Sequence, residues 1–113
     1  MLKKEDGAID WALPATALAN RVRGLSPWPG AYTTAAEGDR WTIWRALALP
    51  GPVTKPPGMI IAVTTEAIHV ATGEGVLAVM ELQPAKSRRM AVSQYLAGHP
   101  TAVGLQLGEP ALP

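Results

Sequence analysis

The chain has 113 residues, a length that fits one domain. Ten Lys and Arg against nine Asp and Glu leave a net charge of +1; this excludes recruitment of a polyanion by the field of the whole molecule, so any nucleic-acid contact must come from a local basic patch. Cysteine is absent, which excludes a disulfide framework, a thiolate metal site and a thiol nucleophile, and no apolar run approaches membrane-spanning length.

Hydrophobic residues make up 48% of the chain, enough for a core, but with four Trp, two Tyr and no Phe most of the filling falls to aliphatic side chains. Eleven Gly and eleven Pro mark many turns and imply several short elements rather than a helical bundle. The opening "MLKKEDGAID" carries lysines and no apolar stretch of the kind a secretory signal needs, in keeping with a cytoplasmic protein. Residues 1–8 read as a polar linker or arm.

Residues 14–23, "PATALANRVR", have the strongest helical pattern, with Ala15, Leu18, Ala19 and Val22 on one apolar stripe. Pro14 suits the first helical position and Gly24 the residue just past the end. Asp10 offers acceptor oxygens near the start, and Arg21 and Arg23 fall in the last turn, favourable for the helix dipole.

The stretch "GLSPWPGAYTT", residues 24–34, then forms a rigid corner between that helix and a sheet. Pro27 and Pro29 push their predecessors toward extended geometry, Gly30 permits a bend, and Trp28 between them is a rigid plug with few conformations to lose. "RWTIWRALAL", residues 40–49, reads as a strand with Trp41, Ile43, Leu47 and Leu49 on one face, interrupted by Arg45, and Arg40, Thr42 and Trp44 on the other. Trp41 is expected in the core and Trp44 beneath the first helix.

"PGPVTKPPG" is a loop, because its prolines forbid a central strand. "MIIAVTT", "AIHVAT" and "VLAVMELQ" are three further strands joined by tight connections at "TTEA" and "GEG". "PAKSRRM" is a basic loop, "AVSQYLAGHP" a short second helix, and the tail "VGLQLGE" offers a last strand. The expected fold is mostly β with two short helices: a small, largely antiparallel barrel preceded by an N-terminal helix, whose closure removes most exposed strand edges.

Four segments occur in the order of one known family: "IDW" at 9–11, "NRVRGLSPWPGAYT" at 20–33, "TGEGVLAVMELQP" at 72–84, and "RRM" with the short helix that follows it at 88–98. In these the chain resembles the C-terminal domain of methionyl-tRNA formyltransferase. The resemblance implies an open β-barrel similar to an oligonucleotide-binding fold over residues 9–113, joined through the linker at 1–8 to a Rossmann-like catalytic domain whose motifs this chain lacks. It implies a partner, initiator tRNA held by its phosphate backbone, and a formyl donor, 10-formyltetrahydrofolate, bound by the catalytic domain and not here. No cofactor, metal or catalytic residue is then expected in this chain. Two departures stand out: Ala85 and Ser87 occupy a loop where the family often has a basic residue and a glycine, and the loop "PGPVTKPPG" is unusually rich in proline.

Phosphate binding needs convergent cations. The densest cluster is Lys86, Arg88 and Arg89; Lys3 and Lys4 lie in the arm, and Arg21 on the first helix is a further candidate. Singly, each reads as a charge that solvates a surface; the arm and the 86–89 loop together are the expected RNA contact. Arg23, Pro27, Trp28, Pro29 and Gly30 are assigned to the structural corner, and Asn20 to local hydrogen bonding. "GEG" reads as a hairpin turn rather than a phosphate loop. His69 and His99 lack the neighbours that metal or acid–base chemistry needs. Two alternatives stay open: the same module in a related formyltransferase or hydrolase acting on a non-RNA substrate, or a barrel that only packs on a partner domain.

Overall fold

The computed structural model describes residues 8–25, 30–34, 40–51, 53–85, 87–99 and 101–108. Among them the chain order is α1 (Ala15–Gly24), β1 (Ala31–Thr34), β2 (Arg40–Leu49), β3 (Ile60–Val63), β4 (Ile68–Ala71), β5 (Val76–Pro84), β6 (Met90–Ala91) and α2 (Val92–Gly98). The strands form one antiparallel sheet in the order β1-β2-β5-β4-β3, with the short β6 added to β5.

Helix α1 buries the expected stripe, Ala15, Leu18, Ala19 and Val22, against the sheet, chiefly on β2. Its ends differ from the expected caps. Pro14 is the extended residue before the helix, and the Ala15 N–H donates to the Glu74 carbonyl at 2.8 Å rather than to a side-chain cap. The helix runs through Gly24, and Leu25 ends it in right-handed geometry with its N–H on the Arg21 carbonyl at 2.9 Å. Left-handed backbone is instead needed at Gly30, where φ is 85°. The Gly30 N–H bonds the Leu25 carbonyl at 2.9 Å, so the two ends of the corner are tied together. Pro27, Trp28 and Pro29 lie outside the described residues.

A β-bulge sets the faces of the two longest strands. Ile43 opposes Leu82, Arg45 opposes Glu81 and Ala46 opposes Val79. Trp44 is therefore an extra residue on β2, and Met80 a compensating extra residue on β5. Each insertion flips the alternation of its strand. The buried set passes from Trp41 and Ile43 to Ala46 on β2, and from Leu77 and Val79 to Leu82 on β5. Leu47, expected on the core face, is consequently 51% exposed.

The sheet does not close: β1 and β3 do not pair with each other. Their edges are covered by irregular chain. The Ile9 N–H donates to the Tyr32 carbonyl at 2.8 Å on the β1 side. On the β3 side the tail donates from Gly104 to Ile60 and from Leu107 to Gly58, both at 2.7 Å, and then from Gly108 to Thr34 of β1. The tail therefore spans from one edge toward the other without forming the expected strand; only an isolated bridge, Met59 with Gln106, is present. Edge carbonyls on both sides, Tyr32 and Thr34 of β1 and Ile60 of β3, are thus partnered without strand closure.

The core joins Leu18 and Val22 of α1, Trp41 and Ile43 of β2, Ile60, Ile68, Val70, Leu77, Val79 and Leu82 of the sheet, Val92 of α2 and Leu107 of the tail. Trp11, just before α1, completes it, and its indole N–H donates to the buried Thr33 hydroxyl at 2.9 Å. Trp41 meets the edge of Tyr95 at 5.3 Å, and Tyr95 stacks on His99 at 4.7 Å.

Candidate nucleic-acid interface

On β1 and on β2 before its bulge, the residues between the core positions face away from the core. Tyr32 opposes Thr42, and Thr42 opposes Gln83, so these three form one row across β1, β2 and β5. Arg40 and Trp44 lie on either side of Thr42 along β2. Arg40 is exposed, and its guanidinium lies 4.2 Å from the centre of the Tyr32 ring. Trp44 is half-buried, and its indole N–H donates to Gln83 Oε1 at 2.9 Å. It does not sit under α1. Its six-membered ring lies over Gly30, where a Cβ would stand 3.1 Å from the ring and 3.0 Å from the Thr42 methyl. Gly30 thus meets two needs, a positive φ and room for an aromatic on the solvent side of the sheet.

The basic loop after β5 borders the same face. Gln83 Nε2 donates to the Ser87 carbonyl at 3.0 Å, which couples Trp44 to the loop through one amide. Arg89 Nε donates to Glu81 Oε1 at 2.7 Å, and the guanidinium lies 5.7 Å from the centre of the Trp44 ring system. Glu81 also pairs with Arg45, opposite it on β2, at 3.7 Å. The arginines are 62% and 53% exposed, so each ion pair contributes well under about 1 kcal/mol to stability. Electrostatically, Arg45, Arg89 and the adjacent Arg88 face two carboxylates, Glu81 and the Glu66 that lines a hollow with Arg45 and Glu81, which leaves one surplus positive charge among these groups.

The other expected contacts are placed differently. Arg21 and Arg23 are exposed on α1, and Arg23 donates to Asn20 one turn earlier. Lys3, Lys4 and Lys86 lie outside the described residues. Lys55 is exposed in the proline-rich loop between β2 and β3. Of the expected set, the structure places Arg89 at the Trp44 end of this face, with Arg88 next to it in the chain; Tyr32, Arg40 and Arg45, which sequence reasoning did not assign to a site, lie on the face itself. The alternation of Arg40, Thr42 and Trp44 was visible; the partner strand that puts Tyr32 beneath Arg40 was not.

The turn "GEG" is a hairpin between β4 and β5. The Thr72 hydroxyl lies 2.7 Å from both the Glu74 and Gly75 carbonyl oxygens and accepts the Glu74 N–H at 3.2 Å. No backbone N–H nest is left over there for a phosphate. Among the described residues no group of His, Asp or Glu side chains comes together in a way that would hold a metal ion. Nor is any described helix long and apolar enough to cross a membrane.

A family model described as "Formyl transferase, C-terminal domain" matches residues 1–100. The methionyl-tRNA formyltransferase of Geobacillus thermodenitrificans is 43% identical over 111 residues, covering 96% of this chain and 34% of its own. Those of Trichlorobacter lovleyi and Bacillus subtilis are 46% and 41% identical over 107 and 108 residues, each covering 95% of this chain. The chain spans about a third of the length of these relatives. Among solved structures, HypX from Aquifex aeolicus in complex with tetrahydrofolic acid is similar in fold, with a TM-score of 0.71 at 21% identity, over 90% of this chain and 18% of HypX.

Proposed function

The chain belongs to the formyl transferase C-terminal domain family, and from that premise we propose that it is the tRNA-binding domain of a methionyl-tRNA formyltransferase. The observation that carries this reading is the identity of 41–46% to such enzymes across nearly the whole chain. Its role is positional. Arg88 and Arg89, with Arg40 on the outward face of β2, grip the phosphate backbone of initiator tRNA, and Lys3, Lys4 and Lys86 extend that grip from the arm and the loop. Phosphate contacts fix register and orientation and carry no sequence information. Choice of the initiator therefore rests elsewhere, and the chain presents the aminoacyl end to a catalytic domain in the cytoplasm.

In this reading residues 1–8 link the two domains, and the formyl transfer and its donor, 10-formyltetrahydrofolate, belong to the catalytic one.

Titration of the chain with initiator tRNA over a range of salt concentrations tests the reading. Binding should weaken linearly in log–log form, with a slope set by the number of phosphates neutralised. Binding that ignores salt, or fails at low salt, would leave a domain that only packs on its neighbour.

A further inference from the structure

We propose that the outward face of β1, β2 and β5 binds unpaired RNA nucleotides by stacking, with Trp44 and the Arg40–Tyr32 pair as its two platforms. This rests on the RNA-binding reading above and adds to it a second kind of contact, to bases rather than to phosphates.

Three observations point to base stacking. First, a chain with only four Trp, two Tyr and no Phe places one of each on the solvent side of its sheet, where neither fills the core. Second, that placement is built in. Gly30 clears the space over which the Trp44 ring lies, and Gln83 satisfies the indole N–H while its own amide is held by Ser87. What Trp44 has left to offer a ligand is its π surface. Third, each aromatic has a guanidinium beside it: Arg40 over Tyr32 at 4.2 Å, and Arg89 at 5.7 Å from Trp44. A guanidinium is planar as well as charged, so a base can stack on it while its phosphate is neutralised nearby. Cations alone would suffice for a duplex backbone. Rigid aromatics interleaved with arginines suit bases that have left the helix, because every base has a π face and no particular sequence is required.

The test uses this chain and two defined ligands: an RNA strand of sixteen alternating C and A residues, and the same strand paired with its complement of alternating G and U. Tryptophan emission is followed during titration, because a base stacked on an indole quenches it. The single strand should quench emission and bind at least about fivefold more tightly than the duplex, and Trp44→Ala should weaken single-strand binding about tenfold. Trp44→Phe should keep most of the affinity and lose most of the quench. Arg40→Lys retains the charge and removes the plane; it should weaken the single strand severalfold and leave the salt slope unchanged.

Equal binding of the two ligands without quenching would overturn the inference. So would single-strand affinity within twofold of the parent in Trp44→Ala, given an unchanged circular dichroism spectrum. If Trp44→Ala does not fold, Arg40→Lys decides, and its indifference to the loss of planarity overturns the inference. Salt-dependent binding of initiator tRNA alongside indifference to the oligonucleotide would sink the stacking site alone. Loss of tRNA binding as well would sink the positional reading.

Discussion

Two tryptophans, Trp11 ahead of α1 and Trp44 on β2, are put to opposite uses. Trp11 is buried against the core, its one polar atom bonded to the buried Thr33 hydroxyl, and the chain around it is stitched to the β4–β5 turn. The Gly73 N–H lies 2.9 Å from the Trp11 carbonyl and 3.2 Å from that of Leu13, so near that a Cβ on Gly73 would run into the Ala12 carbonyl. Trp44 faces the other way, half in solvent, among arginines whose ion pairs are too exposed to matter much for folding. Among the described residues, every buried side-chain polar atom has a partner, and its loss is costly. Where charges are exposed, they are free to serve a ligand. The two regions should therefore separate under mutation: changes at the first should cost stability and leave RNA affinity per folded molecule intact, and changes at the second should do the reverse.

The largest effect is expected at Gly73→Ala. Backbone blocks the new methyl, so the chain must shift, and a loss of about 3 kcal/mol is expected in denaturant unfolding. Trp11→Phe comes next. It keeps the ring burial but leaves the Thr33 hydroxyl without its donor, and should cost about 1–2 kcal/mol. A loss of tRNA affinity in the folded fraction of either variant would break the separation.

Glu81→Gln sharpens the comparison from the other side. It should move stability by less than about 1 kcal/mol, because both of its pairs are exposed. At the same time it releases Arg45 and Arg89, so tRNA should bind a few times more tightly at low salt. Arg88→Ala should have the smallest effect on the fold, within about 0.5 kcal/mol, while lowering tRNA affinity and reducing the salt slope by about one.

Much of the fold was legible because it rests on local periodicity. The stripe of Ala15, Leu18, Ala19 and Val22 gave α1, and alternation gave β2 from Arg40 to Leu49, matching the strand observed. Glycine and threonine signalled the β4–β5 turn. What could not be read belongs to pairs of strands. The paired insertions at Trp44 and Met80 cancel in overall register, so neither strand alone betrays them, and they alone explain why Leu47 faces solvent. Strand β1 is four residues long inside a stretch that reads as a turn. The outward face depends on β2 lying between β1 and β5, strands remote from each other in sequence. Its arginines were visible singly, as charges; their aromatic neighbours became visible only once those strands were side by side.

The most direct test removes Arg88 and Arg89 together, as Arg88→Ala/Arg89→Ala, and reads two quantities on the same preparation: the thermal midpoint, and the slope of log affinity for initiator tRNA against log salt. The account predicts a midpoint shifted by no more than a few degrees and a slope reduced by about two. An unchanged slope in a folded double variant would contradict it, because the cations at this end of the sheet would then not be holding RNA.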